Sequence, residues 1–168
     1  MKVLFLFITM VLGVSVLNAQ KKIDSVTAYD LLKLLPNKIK GVDVKLERDK
    51  VKNSKGFIGV TAHRDYGSGD KMITIELINE SPSLIPVNNF LAEAKITDDN
   101  QYLITAIEGF NSYIQTIFRE DGKKAYEILI PLTATLLTIK SFGFTRAELI
   151  EIANSIKVDK IAKKLEKL

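Results

Sequence analysis

A chain of 168 residues with 46% apolar and 26% charged side chains, nine Gly and four Pro is long enough for one domain with a real core. This composition excludes collagen-like, low-complexity and acidic disordered classes. The absence of cysteine excludes disulfides, Cys-based zinc sites, iron–sulfur clusters and thiol nucleophiles, and a single histidine, His63, excludes multi-His metal sites. A formal net charge of +4 is too small to point to nucleic acid on charge alone.

In chain order the first element is a leader. Lys2 gives a positive start, Val3 to Leu17 is a fifteen-residue stretch without charge, and Ala19 offers a small residue at a cleavage point before Lys21 and Lys22. This pattern reads as a secretory signal peptide over 1–19, leaving 20–168 as a single α+β domain. An uncleaved anchor is the alternative, and fifteen residues fall short of the roughly 20 that span a bilayer. Cleavage removes Lys2 and no acid, leaving 23 basic and 20 acidic residues. The expected location is therefore periplasmic or extracellular.

Thr27 with Asp30 three residues on has the form of a helix N-cap. Leu31, Leu32, Leu34 and Leu35 follow as an apolar face, and Pro36 ends the helix. Val42, Val44 and Leu46 alternate with charged residues, which predicts a half-buried strand, and Asn53 to Gly56 is a turn. Residues 57–64 and 72–78 read as a hairpin around Asp65-Tyr66-Gly67-Ser68-Gly69-Asp70. Ile58, Val60, Ala62, Ile73, Ile75 and Leu77 are its inward set. Pro82 and Pro86 interrupt the chain, 88–94 is a short helix, and Asp98 to Asn100 is a loop. Strands are expected over 101–107, 112–119, 124–130 and 134–140, with a tight turn at 120–123 and an edge or break at Pro131. Thr145 and Glu148 form a capping box for a helix whose Leu149, Ile152, Ala153 and Ile156 share one side. A lysine-rich terminal segment follows.

Strands joined by short turns imply antiparallel pairing. The expected architecture is an α+β two-layer sandwich: a mostly antiparallel sheet of about six strands with helices packed on one face. The run from Leu35-Pro36 and Gly41 through Tyr66 to Lys71, Ile73 to Glu76, Glu108 to Phe110, Phe118 to Gly122 and the helix from Thr145 resembles small secreted bacterial domains of unknown function. In outline it is similar to PsbP/Mog1-type folds. The resemblance implies the fold class and a noncatalytic protein, and it carries over no site residues.

His63 is the first candidate for chemistry. Paired with Asp65 or Asp70 and the Ser68 hydroxyl it makes a hydrolytic set; alone it is an exposed strand histidine beside a turn. The glycines between Asp65 and Asp70 join strands rather than feeding a helix, so they make no phosphate cradle, and no EF-hand glutamate follows. No metal or cofactor is expected. Asp49, Glu76, Glu108, Glu120 and Glu127 leave a paired-carboxylate site open, with no spacing that selects two. Tyr66, Phe142 and Phe144 join His63 as ligand-site candidates, Phe142-Gly143-Phe144 reading as an apolar knob or as core. Lys157, Lys160, Lys163, Lys164 and Lys167, with the basic stretch from Lys33 to Lys55, offer an anionic-lipid patch or simply solvated faces.

Three functions follow as expectations. The first is a noncatalytic exported binding module for an envelope or extracellular protein or an apolar ligand. The second is a peripheral protein of anionic membranes, and the third a cofactor-independent hydrolase. Nucleic acid is not an expected partner of an exported chain.

Overall fold

The computed structural model describes residues 23–53, 59–93, 102–118 and 122–167. The leader, the turn after Asn53, Ile58, the loop at 98–100 and the first half of the turn at 120–123 lie outside the described residues. The chain runs as helix α1 (Ser25–Leu32), a small hairpin of β1 (Lys38–Ile39) and β2 (Val42–Asp43), and a 3-10 turn at Leu46–Arg48. Then come β3 (Lys50–Asn53), β4 (Val60–Ser68), β5 (Lys71–Asn79), α2 (Leu84–Glu93), β6 (Tyr102–Ile107), β7 (Phe110–Phe118), β8 (Lys124–Leu132) and β9 (Thr135–Phe142). Two helices, α3 (Arg146–Asn154) and α4 (Val158–Glu166), close the described chain.

Seven strands form one antiparallel sheet in the order β3-β4-β5-β9-β8-β7-β6. Two meanders, one from each half of the chain, meet where β5 pairs with β9. The expected α+β class and antiparallel sheet hold, with seven strands in place of about six. Because side chains alternate across a strand, cross-strand register assigns every residue to a face. On one face Ile75, Ile139, Ile128, Ile114 and Leu103 stand opposite one another in sequence across five strands. All but Leu103 are fully buried, and burial of each such side chain contributes roughly 1.5–3 kcal/mol. Leu31 and Leu32 of α1, Leu149 and Ile152 of α3, and Ile161 of α4 cover this inner face.

The fourth helix goes elsewhere. Val87 of α2 packs on Leu129 and Leu136, which lie on the opposite, outer face. Helices therefore cover most of one face and a second face in part. Pro86 does not interrupt α2: it occupies the first turn, where its missing N–H has no intrahelical partner to lose. Pro131 likewise sits inside β8, a central strand, but β7 stops pairing at Leu129, so no β7 ladder bond is lost there.

Other local differences have equally local causes. The cap of α1 is Asp24, whose carboxylate accepts from the Thr27 N–H at 2.7 Å, so Thr27 lies inside the helix. The strand expected from Val42 ends after Asp43. Val44 makes a single bridge to Tyr66, the Lys45 N–H bonds to the Asp65 carbonyl, and the chain turns so that Asp49 meets Arg64. The β4–β5 hairpin is longer than expected, running to Ser68 and Lys71 around a two-residue Gly69-Asp70 turn. Gly67 is required within it: its φ is +69°, and a Cβ there would lie 2.4 Å from the Lys71 carbonyl oxygen. The capping box at Thr145 and Glu148 forms as expected.

Arg64 falls on the inner face, at the end of the isoleucine row beside Ile75. Its Nε and Nη2 donate to Asp49 at 3.0 and 2.5 Å, and Nη1 donates to the Leu32 carbonyl at 2.6 Å. One buried guanidinium thus ties α1 and the approach to β3 onto the sheet. Burial pulls the guanidinium pKa down, but the Asp49 carboxylate outweighs it, and the net shift is upward.

Candidate functional site

The outer face carries the polar chemistry. Lys50 on β3, His63 on β4, Glu76 on β5, Thr138 on β9, Leu129 on β8 and Tyr113 on β7 stand opposite one another in register, a single row across six strands. The neighbouring row holds Asp65, Thr74, Lys140, Glu127 and Gln115. The α2 helix roofs the Tyr113–Leu129 end. Toward β3 the rows line an open depression of about 290 Å³ bounded by Lys50, Lys52, Thr61, His63 and Glu76.

Imidazole lies at the centre of this arrangement. His63 Nδ1 is 3.0 Å from Glu76 Oε1, and Nε2 is 3.2 Å from Asp65 Oδ1. Thr74 donates its hydroxyl to the same Asp65 oxygen at 2.8 Å. A neutral imidazole has one N–H, so only the imidazolium donates to both carboxylates at once. On the next strands Gln115 donates to Glu127 at 2.7 Å, and Lys140 approaches the other Glu127 oxygen at 3.5 Å. The ring and both carboxylates are thus fixed by mutual contacts on a rigid sheet. Lys50 and Lys52 are exposed on the rim, neither with a carboxylate partner among the described residues.

Of the hydrolytic set, the structure brings together only His63 and Asp65. Ser68 lies five residues along β4, about 16 Å away and on the opposite side by alternation. Asp70 sits in the turn with its side chain 94% exposed and pairs with Lys123 at 3.6 Å. The carboxylates do not gather either. Asp49 serves Arg64, Glu76 serves His63, Glu127 serves Gln115 and Lys140, and Glu108 accepts from the Asp159 N–H. Glu120 lies outside the described residues. Among the described residues no group of three His, Asp or Glu side chains is arranged to hold a metal ion.

The aromatic candidates separate. Tyr66 is fully buried, and its hydroxyl donates to the Pro36 carbonyl at 2.8 Å, so it is a core residue rather than a ligand contact. Burial is the main cause that pushes its phenol pKa up to about 12, against the Arg64 guanidinium, which favours the phenolate. Phe144 is buried in the same core, with Lys71 Nζ 5.7 Å from its ring centroid. Phe142 lies on the outer face and lines a small cavity of about 190 Å³ with Asp70, Lys123, Lys124 and Gly143. Phe142 and Phe144 therefore make no common knob.

The basic stretches also separate. Lys50 and Lys52 lie on the outer face, whereas α4 packs on the inner one. Lys33, Lys38 and Lys40 pair with Asp30, Asp43 and Glu151. Lys157, Lys160, Lys163, Lys164 and Lys167 are all exposed on or beside α4, Lys163 with Asp159 at 3.4 Å.

Sequence reasoning did not place the rim lysines beside His63. The signal lay in the Lys-Val-Lys alternation at 50–52, readable only once β3 is paired with β4. Compared with known protein families, curated proteins and solved structures, the chain matches none of them. Its chemistry is therefore read from its own geometry.

Proposed function

We propose that this chain is an exported, noncatalytic binding module that takes its ligand on the open outer face of the sheet, at the depression between Lys50, Lys52, His63 and Glu76. The observation that carries this reading is the contrast between faces. Three helices spend the inner face on the core, while the outer face presents a concave, polar floor held in place by its own hydrogen bonds. Pre-organised polar groups on a rigid scaffold favour recognition, because little ordering entropy remains to be lost on binding. The uncompensated lysines on the rim suit a ligand that presents carboxylate or phosphate, as envelope components do.

Export rests on the leader pattern, and mass spectrometry of the protein from the envelope or culture fluid checks it. A mature chain starting at Gln20 is expected; an intact Met1 chain confined to the cytosol refutes it. Binding is checked by thermal shift against anionic lipid vesicles and soluble cell-wall fragments. The expected result is a shift with one ligand class that disappears in the Lys50→Glu, Lys52→Glu double variant. No shift with any probe, or a shift the double variant keeps, overturns the reading.

A second reading, peripheral binding to anionic membranes, draws on the exposed lysines of α4. It predicts salt-sensitive flotation with anionic vesicles that is lost when Lys160, Lys163, Lys164 and Lys167 become Ala. Flotation insensitive to salt, or none, rejects it.

A further inference from the structure

The two edges of the sheet differ in a way that folding alone does not require. β3, at one edge, carries exposed Lys50 and Lys52, the kind of charge that keeps edge strands from pairing with other chains. β6, at the other edge, reads Tyr-Leu-Ile-Thr-Ala-Ile: six residues with no charge, no proline and strong β propensity. Among the described residues no strand pairs with its outer side. The exposed hydrophobic side chains Tyr102 on β6 and Phe118 on neighbouring β7 stand at this end of the sheet, on its outer and inner faces respectively.

We infer that β6 is a self-association edge, at which a second copy of this chain adds its own β6 antiparallel and continues the sheet across a two-fold axis. Charge selects the second copy as occupant. Two β3 edges would bring lysines together, whereas two β6 edges meet without a single like-charge pair, in a chain whose formal charge is +4. The backbone supplies a register. β6 and β7 are joined by the two-residue turn Glu108-Gly109, both with positive φ (47° and 85°), and Ile107 stands opposite Phe110. In such a hairpin the residues flanking the turn are the doubly hydrogen-bonded pair, and alternation then directs the N–H and C=O groups of Ile104 and Ala106 away from β7. Pairing Ile104 with Ala106 of the second copy forms about four hydrogen bonds and places Thr105 on the axis, facing its own copy. Leu103 and Ile107 then meet on the inner face, extending the core row that ends at Leu103. This interface does not depend on what the outer-face depression binds.

The sequence has no cysteine, which allows a clean test. Sedimentation velocity of the purified protein over roughly a hundredfold concentration range should show the mass doubling, and Ile104→Lys should stay monomeric with an unchanged circular dichroism spectrum. A Thr105→Cys variant should form a covalent dimer on mild oxidation, whereas Asn53→Cys on the opposite edge should not. A wild-type chain that is monomeric throughout overturns the inference. So does a dimer that Ile104→Lys leaves intact, or one in which Asn53→Cys cross-links as readily as Thr105→Cys.

Discussion

Replacing Tyr66 with Phe tests the burial logic of the β4 inner face through a change of sign with pH. At neutral pH the variant loses the hydrogen bond to the Pro36 carbonyl, which costs about 1–2 kcal/mol in a buried setting. The phenol titrates near 10 when unfolded, and burial pushes it to about 12 in the folded chain. A raised acid pKa means that its contribution to stability is complete below pH 10 and is lost as pH climbs toward 12, because the unfolded phenol ionises first. Two pKa units correspond to about 2.7 kcal/mol in total, and half of that, about 1.4 kcal/mol, is gone by pH 11. Wild type should therefore be the more stable protein at pH 8, and the two curves should meet near pH 11 and cross above it. Urea denaturation of both proteins across this range gives the difference directly, and the titrations of the lysines and other tyrosines cancel between them. A stability difference that stays constant from pH 8 to 11.5 would refute the reasoning.

Four further substitutions probe other parts of the structure. Arg64→Met should cost about 3–5 kcal/mol, because it strands Asp49 without its cation and frees the Leu32 carbonyl; chemical denaturation measures it, and a loss under 1 kcal/mol contradicts the clamp. Ser141→Ala should raise Tm by about 2–4 °C: this hydroxyl is fully buried with no hydrogen-bond partner among the described residues, and removing it relieves about 1 kcal/mol of desolvation. Gly143→Ala should destabilise by more than about 3 kcal/mol or prevent folding, since φ is +72° and the added Cβ would lie 1.8 Å from the Asp70 carbonyl oxygen; normal expression and Tm would contradict this. Thr145→Ala should cost about 1 kcal/mol through loss of the α3 capping box, seen as a lower urea midpoint.

What the sequence disclosed, and what it hid, follows the range of the interactions involved. The α3 cap is a four-residue pattern, Thr145 to Glu148, complete within one helical turn, and it was fully legible. The β4–β5 pairing was legible too, because Val60, Ala62, Ile73, Ile75 and Leu77 alternate on a buried face. Failures came where a distant partner decides. Val42 to Glu47 alternates as well as any strand, yet it turns away after Asp43 because Asp49 must reach Arg64, and the edge position passes to Lys50–Asn53, which has a single apolar residue. Pro86 and Pro131 read as breaks because proline lacks a donor; each occupies a place where that donor has no partner to lose. The candidate site was half visible. Alternation placed His63 on the wet face, but its partners Glu76 and Lys50 belong to other strands, and only register reveals them.

Register also bears on whether the outer-face polar row is structural or functional. Cross-strand polar or charged pairs on an open sheet face contribute roughly 0.2–1 kcal/mol each, no more than threonine or aromatic pairs in the same positions. Folding therefore gives little reason to place an imidazole between two carboxylates, or to build a second ionic contact through Glu127 and Lys140, where β-branched residues would stabilise the sheet as well. Edge protection accounts for Lys50 and Lys52 on β3, but it does not account for Glu76, which lies two strands in from that edge with its side chain 34% exposed. Away from the strand ends, where Lys71 and Lys124 stand, the described inner face by contrast holds one charged residue, Arg64, whose contacts tie α1 and Asp49 to the sheet. Ionic pairing that folding does not require is thus found, among the described residues, on the outer face, and this is the observation that motivates the proposal of ligand recognition there.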